Sequence, residues 1–445
     1  MLQYLKTSNI GPAPTFELTL GERLNILTGD NGLGKTLLLD VAWWVCARDW
    51  PEGPAIPKRF VLPIEHRSAR GTQEAIGDGE IVATISGRAG RPSKQTFVFD
   101  PRLADWKRKS TTRPPIAGLV IYARLDGGFS VWDPARHYYR VAPSIGIDDP
   151  DRPPAFHFSK EEVWNGKRIS DRAKGEVTVC EGLSRDWLEW EKREPDLFTI
   201  FKNVLEHLSP PEELIRPADS PVRMPGPDVS SVPALSTAYG VVPLHHASAA
   251  MKRILALAYF LVWTWHEHEL QSDVIGSDRE RRIILIIDEV EAHLHPKWQR
   301  RLMPALLTVA KHLSGNVGVQ FVVSTHSPLV LASLEPDFQE PGDRLFHLDL
   351  RDGEARLDQK PWVPYGDVGG WLTSQIFQLG AARSEPAEDV IESALKIMQD
   401  GSAVADDALI ADIDDRLRRV LPPMDAVWAS WTIFKRQRSM EKKKA

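Results

Sequence analysis

Two short segments hold residues whose types and spacing can do chemistry together. The first is Gly29-Asp30-Asn31-Gly32-Leu33-Gly34-Lys35-Thr36, which fits the phosphate-binding pattern G-x-x-x-x-G-K-[ST]. Its glycines let backbone N–H groups curl around phosphate oxygens, and a helix opening behind it adds positive potential. Lys35 can reach the β and γ phosphates of a nucleoside triphosphate, and Thr36 offers a hydroxyl to Mg²⁺. Asn31, Gly32, Gly34, Lys35 and Thr36 are therefore the expected nucleotide contacts. The second segment is Ile283-Ile284-Leu285-Ile286-Ile287-Asp288-Glu289, an apolar run that delivers two carboxylates at its C-terminal end. Asp288, with Thr36, would hold Mg²⁺ through water, and Glu289 would polarise the attacking water. Alone, a glycine-rich turn is commonplace, and so is an acidic pair in a solvated loop. In this order on one chain they read as nucleotide hydrolysis.

Such residues work only if particular elements present them. Phe16, Leu18 and Leu20 alternate with polar residues, and 23–28 is a second β-like run that ends at the glycine-rich turn. Residues 36–49 have helical character and contain no Gly or Pro, so the first module is strand, loop, helix. The run 283–287, bounded by charges, suits a strand buried on both faces; 297–313 is helical, and 317–323 is another buried strand. Strands alternating with helices predict an α/β fold with a mainly parallel sheet.

Between residues 51 and 233 the texture changes to many Pro and Gly, Trp-rich patches and short β-like runs at 79–86, 96–100 and 119–125. Asp126-Gly127-Gly128 reads as a hairpin turn. Helical spacing returns over 181–208 and again over 248–270. The expected organisation is an N-terminal lobe with the phosphate loop (1–50), a β-rich and helical insertion (51–233), a C-terminal lobe with the carboxylates (234–380) and a helical tail (381–445). The insertion has no long heptad run, which excludes a coiled-coil arm.

The chain has 445 residues, 42% hydrophobic and 26% charged, which is the composition of a soluble globular protein. The apolar stretch 254–265 is interrupted and shorter than the roughly 20 residues that span a bilayer, and 1–10 does not read as a signal peptide. A cytoplasmic protein without a membrane partner is expected. The two cysteines, Cys46 and Cys180, form no CxxC, which argues against a disulfide framework or a cysteine zinc site. The net charge of −6 excludes an all-over nucleic-acid clamp but leaves room for local basic patches. Two clusters qualify: Arg102, Lys107, Arg108, Lys109 and Arg113 around Trp106, and 435–444 at the C-terminal end.

Asp288-Glu289-Val290-Glu291-Ala292-His293-Leu294-His295-Pro296 resembles the extended Walker B and D-loop of ABC-type ATPases related to RecF, SMC and the OLD proteins. Val323-Ser324-Thr325-His326-Ser327-Pro328 resembles their switch segment, which implies that His326 follows a strand, senses the γ-phosphate and joins Glu289 as a catalytic residue. The resemblance implies an ABC-ATPase head with an N-terminal antiparallel β-subdomain, with ATP and Mg²⁺ as cofactors. It also implies paired heads, a homodimer or higher homo-oligomer, in which a signature serine meets the partner's ATP. Ala247-Ser248-Ala249-Ala250-Met251 matches that signature imperfectly: alanines replace both glycines of L-S-G-G-Q and Met251 replaces the glutamine. Ser248 can bind phosphate there with help from Lys252 or Arg253, or act only as a helix cap. His293 and His295 read as packing and turn residues, and Gln95 is the candidate for the Q-loop.

Within that group, HLHP, STHSP and a middle region ending in Pro243-Leu244-His245-His246-Ala247-Ser248 look most like ATPases of bacterial anti-phage systems such as Septu and Gabija. This implies an ATPase whose head dimerisation regulates a separate effector, such as a nuclease. A Toprim nuclease within the chain is not expected, because Asp412-Ile413-Asp414 lies in a helix-like stretch. The alternative is a DNA-binding RecF- or SMC-like ATPase in repair with no dedicated effector. A transporter subunit fits poorly with the large insertion and the degenerate signature.

Overall fold

In the computed structural model all residues are described except 62–73, 77, 89, 110–114, 138–153, 172–174, 226–230, 314–316, 381, 401–405 and 443–445. The chain forms two compact units, Met1–Pro364 and Tyr365–Ala445.

In the first unit, alternation makes Leu2–Ser8 (β1) and Thr15–Thr19 (β2) one-sided strands, whereas Leu24–Gly29 (β3) is buried almost throughout. β3 runs into the glycine-rich loop, and helix Lys35–Ala47 (α1) follows it. Next come strands Glu80–Ser86 (β4), Pro92–Asp100 (β5), Asp105–Arg108 (β6), Leu119–Ala123 (β7), Phe129–Trp132 (β8) and Phe156–Phe158 (β9). The helical stretch after them breaks at Glu194 before Pro195, giving Leu183–Arg193 (α2) and Pro195–Leu208 (α3). Helix Ala249–Ile275 (α4) precedes strand Arg282–Ile287 (β10), helix Pro296–Leu313 (α5), strand Gly318–Ser324 (β11) and helix Pro328–Leu334 (α6). Strands Asp343–Arg351 (β12) and Glu354–Lys360 (β13) complete the unit's sheets.

These strands make two sheets that position the site. The larger has the order β9-β8-β7-β10-β11-β3-β12-β13. Its central pairs, from β7 through β12, are all parallel, and antiparallel strands flank them. The smaller sheet, β2-β1-β4-β5-β6, is wholly antiparallel. The fold is therefore α/β, with a mainly parallel sheet and a separate antiparallel β-subdomain. Ile283, Ile284, Leu285, Ile286 and Ile287 are at most 1% exposed, and each such side chain contributes about 1.5–3 kcal/mol through burial. That anchors the strand end from which Asp288 and Glu289 project.

Strands of the 51–233 region are built into both sheets. β7 pairs in parallel register with β10, Tyr122 opposite Ile286, and so fills the middle of the main sheet, while β4, β5 and β6 build the antiparallel one. All of β7 is buried, which requires a partner on either side, and the partners come from distant parts of the chain. Among the described residues no helix is long and apolar enough to cross a membrane.

The second unit is helical and has its own core. Helices Glu385–Asp400 (α7), Asp407–Val420 (α8) and Val427–Lys442 (α9) bury Val390, Ala394, Ile413, Leu417 and Trp431. It begins ahead of residue 381, where the sequence texture placed the tail. Asp412 and Asp414 both lie on α8. Asp414 accepts from Trp431 Nε1 and Arg418 Nε, each at 2.9 Å, and also binds Lys435, so it serves the packing of this unit.

Candidate functional site

The loop between β3 and α1 depends on backbone that glycine supplies. Gly29 has φ 128°, and a Cβ there would lie 1.9 Å from the carbonyl oxygen of Leu348 on neighbouring β12. Gly34, at φ 98°, sits at the N-cap of α1, where a Cβ would press on Pro12 at 3.2 Å. Asn31 and Gly32 are exposed at the loop tip. Lys35 is folded into the loop and donates to the carbonyls of Gly29 at 2.8 Å and Asp30 at 2.6 Å. Burial pulls its ammonium below the usual lysine range, against the opposing charges of Glu289 and Asp288.

The carboxylates meet this loop across the sheet. Thr36 Oγ1 donates to Asp288 Oδ2 at 2.8 Å, and Ser324 Oγ donates to Asp288 Oδ1 at 2.6 Å. Asp288 is 1% exposed, so both of its oxygens are held from two sides in a dry setting. Glu289 has φ 45°, in the left-handed region that a glutamate adopts at a cost of about 1–3 kcal/mol. It is kept there because Ser324 Oγ accepts from its N–H at 2.7 Å and Ser324 O accepts from the next N–H at 3.1 Å. Its side chain is turned toward His326, with Nε2 and Oε1 3.8 Å apart, longer than a hydrogen bond. Burial, then the charge of Lys35, pulls the imidazole below its ordinary value.

A divalent ion fits the chemistry of this donor set. A hydroxyl and a carboxylate side by side are hard oxygen ligands, and Mg²⁺ uses one or two such groups while water and phosphate oxygens fill the remaining positions. Asp40, one turn after Thr36 on α1, adds a further acid: burial pushes it to about 6, the charge of Asp288 contributes, and Tyr122 OH donates to it at 3.0 Å.

Ser248 does not join this cluster in the single chain. It is exposed at the N-cap of α4, where its Oγ accepts from Met251 N at 3.2 Å. Arg253 is not free to assist it. Arg253 is 8% exposed and donates to the carbonyls of Arg124 at 2.7 Å and Asp288 at 3.2 Å, tying the start of α4 to the ends of β7 and β10. Lys252 donates to His245 O at 2.7 Å. His293 and His295 are both exposed, which removes packing as their role; His293 takes the turn at φ 64°, and His295 O accepts from Trp298 N in the first turn of α5. Gln95 lies buried on β5 with its amide engaged by Ser93 and Arg108.

Part of each basic cluster is ion-paired. Lys107 pairs with Asp100 at 2.6 Å and Lys109 with Glu80 at 3.4 Å, while Arg113 lies outside the described residues. In the second unit Lys435 binds Asp414 and Arg438 binds Asp407. The residues that sequence reasoning passed over are Ser324, Asp40 and Glu291. Asp40 was accessible as an acid one helical turn beyond Thr36, whereas the roles of Ser324 and Glu291 depend on contacts more than 30 residues apart in the chain.

Comparison with known proteins bears on the same residues. Residues 156–332, which include Ser248, Asp288, Glu289 and His326 but not the phosphate loop, match the family described as "AAA domain, putative AbiEii toxin, Type IV TA system". A "Retron Ec83 probable ATPase" from Escherichia coli is 40% identical over 106 residues, 24% of this chain and 16% of that protein. The "Septu protein PtuA" of Bacillus mycoides is 34% identical over 137 residues, 31% of this chain and 17% of that protein. The matches thus span less than a fifth of these relatives' own lengths. Among solved structures, an SMC head bound to the C-winged helix domain of ScpA aligns over 81% of this chain and 97% of that chain, at 13% identity and a TM-score of 0.41. Over these stretches the chain is similar to a retron's probable ATPase and to a Septu protein, in keeping with the resemblance of its motifs.

Proposed function

We propose that the chain binds and hydrolyses ATP with Mg²⁺, that two copies pair through their ATPase heads, and that pairing regulates a separate effector, a nuclease, in anti-phage defence. The observation that best supports hydrolysis is the strained Glu289, held by Ser324 beside an Asp288 that Thr36 and Ser324 brace. Strain kept at a cost beside a phosphate-binding loop is the signature of a working site. In this reading Lys35 exchanges its bonds to the Gly29 and Asp30 carbonyls for the β and γ phosphates, and loop N–H groups around Asn31, Gly32 and Gly34 cradle them. Thr36 and Asp288 would hold a magnesium ion, whose charge would offset that of the phosphates. Glu289 orients the attacking water and takes up its proton, and His326 donates to the γ-phosphate.

Ser248, exposed at a helix N-terminus, meets the partner's γ-phosphate, so each site uses two chains. The names of the matched relatives, a probable ATPase of a retron and a Septu protein, support the defence setting, and the cytoplasm is the fitting location. The alternative is a DNA-repair role without an effector, for which the exposed Lys107 and Lys109 would supply phosphate contacts. Complementation tests the pairing. Ser248→Arg blocks closure while leaving its own loop intact, and Lys35→Ala does the reverse. Each alone is expected to be inactive, and mixtures are expected to recover ATPase activity at intermediate ratios. No recovery despite demonstrated subunit exchange contradicts the shared site, and a fully active Ser248→Arg enzyme reduces Ser248 to a helix cap.

A further inference from the structure

The turn after Glu289 carries a second acid for which the reading above has no use. Glu291 reaches across to the segment that follows β11: Oε2 accepts from Thr325 Oγ1 at 2.8 Å, and Oε1 accepts from the backbone N–H of His326. Thr325 is fully buried, its N–H bonded to Leu27 O on β3 at 3.0 Å, and its Oγ1 accepts from Ser327 N at 3.1 Å. Ser327 Oγ in turn donates to Gln299 Oε1 on α5 at 2.7 Å, while Gln299 Nε2 donates to Leu294 O at 2.9 Å. The 289–294 turn and the 324–327 segment are thus cross-tied, and Glu291 binds both the residue before His326 and the backbone of His326 itself.

This arrangement costs something to keep. Burial pushes the Glu291 carboxyl above its ordinary range, and a buried acid is tolerated only where hydrogen bonds compensate it. A turn that needed only a cap would be served by a serine or an asparagine at the surface. What a glutamate adds is reach: two acceptor oxygens on a three-bond arm, one for each donor of the opposite segment.

We propose that Glu291 is a positioning residue that holds the His326 segment in register with Glu289 and so acts on hydrolysis through His326. The proposal rests on the catalytic reading of Glu289 and His326 given above. If it holds, the backbone tie sets where the imidazole of His326 lies, and nucleotide binding at the Lys35 loop is independent of it. Loss of the tie then lowers kcat and leaves ATP affinity alone.

The test is a double-mutant cycle on the full chain, with ATP affinity measured by equilibrium binding and kcat by phosphate release. Glu291→Gln replaces one acceptor oxygen with a donor. It is expected to lower kcat at least about tenfold with ATP affinity within about threefold of the starting protein. Thr325→Val keeps the β-branched shape and removes one of the two ties together with the acceptor of Ser327 N–H; it tests the tie if Glu291→Gln proves unstable, and kcat is expected to fall with ATP affinity unchanged. The deciding measurement is the combination with His326→Ala. If Glu291 acts through His326, adding Glu291→Gln to His326→Ala lowers kcat by no more than about twofold further. Multiplication of the two single losses overturns the proposal while leaving His326 catalytic, and so does wild-type kcat in Glu291→Gln. Wild-type kcat in His326→Ala contradicts the catalytic reading itself, and the proposal falls with it.

Discussion

Ser324→Ala removes one oxygen that serves both members of the carboxylate pair. Ser324 Oγ donates to Asp288 Oδ1 at 2.6 Å and accepts from Glu289 N at 2.7 Å, and Ser324 itself is fully buried. A hydrogen bond to a carboxylate contributes about 1.5–3 kcal/mol, and a buried N–H left without an acceptor costs about 1–3 kcal/mol. Partial relaxation leaves a net loss of about 3–5 kcal/mol. At roughly 2 °C per kcal/mol for a large unit, Tm falls by about 5–10 °C, readable by scanning calorimetry or fluorescence. Freed of its bond, Glu289 can leave the left-handed backbone at φ 45°, and its carboxylate turns from the place where water must be held. A misorientation worth about 1.4–2.7 kcal/mol lowers kcat about 10- to 100-fold. ATP affinity stays within about threefold, since the loop that carries Lys35 is untouched. A variant with lowered Tm but kcat within twofold of the starting protein would show that this brace supports the fold and not the chemistry. An unchanged Tm would refute the bonds themselves.

Three further outcomes follow from single contacts. Lys35→Ala removes the ammonium that now binds the carbonyls of Gly29 and Asp30, and ATP affinity by equilibrium dialysis is expected to fall at least about 100-fold; unchanged affinity rejects the phosphate-loop assignment. Gly29→Ala places a Cβ 1.9 Å from Leu348 O at φ 128°, so little folded protein is expected, and a Tm within about 2 °C of the starting protein contradicts the close approach of β3 and β12. Asp186, to which Tyr259 OH donates, is pushed by burial from 3.8 up to about 7. A carboxyl raised on folding keeps its proton in the folded chain while the unfolded chain ionises, so its penalty grows from pH 4 to about 7 and is constant above. Asp186→Asn is therefore expected to raise stability by about 1–3 kcal/mol at pH 8 and by almost nothing at pH 4; the same gain at both values refutes the buried titration.

The sequence made some of this legible and hid the rest for physical reasons. Ile283-Ile284-Leu285-Ile286-Ile287 read as a doubly buried strand because an unbroken apolar run between charges has few other homes, and it lies at the sheet centre. The loop at 29–36 read as phosphate-binding because its glycines and Lys35 occur at a spacing that backbone geometry requires. What could not be read was partnership across long stretches of chain. β7 looked like part of an inserted region because nothing local records that Tyr122 pairs with Ile286, 164 positions further on. For the same reason Arg253 looked available for a phosphate, although it is spent on the carbonyls of Arg124 and Asp288. Ser324 and Glu291 were visible as letters of motifs, but a serine that braces two carboxylates and a glutamate that holds a histidine's backbone are defined by hydrogen bonds between separate segments.

The central claim is that Glu289 activates water at a site where Lys35, Thr36 and Asp288 hold the nucleotide. Its most direct measurement is the fate of bound ATP in Glu289→Gln, followed by chromatography of nucleotide released from the purified full chain. The amide keeps the shape and the neighbours of Glu289 but cannot take up a proton. The expected result is ATP bound as tightly as in the starting protein, or more tightly, and converted to ADP at least about 100-fold more slowly. Conversion of bound ATP near the starting rate would contradict the assignment of Glu289.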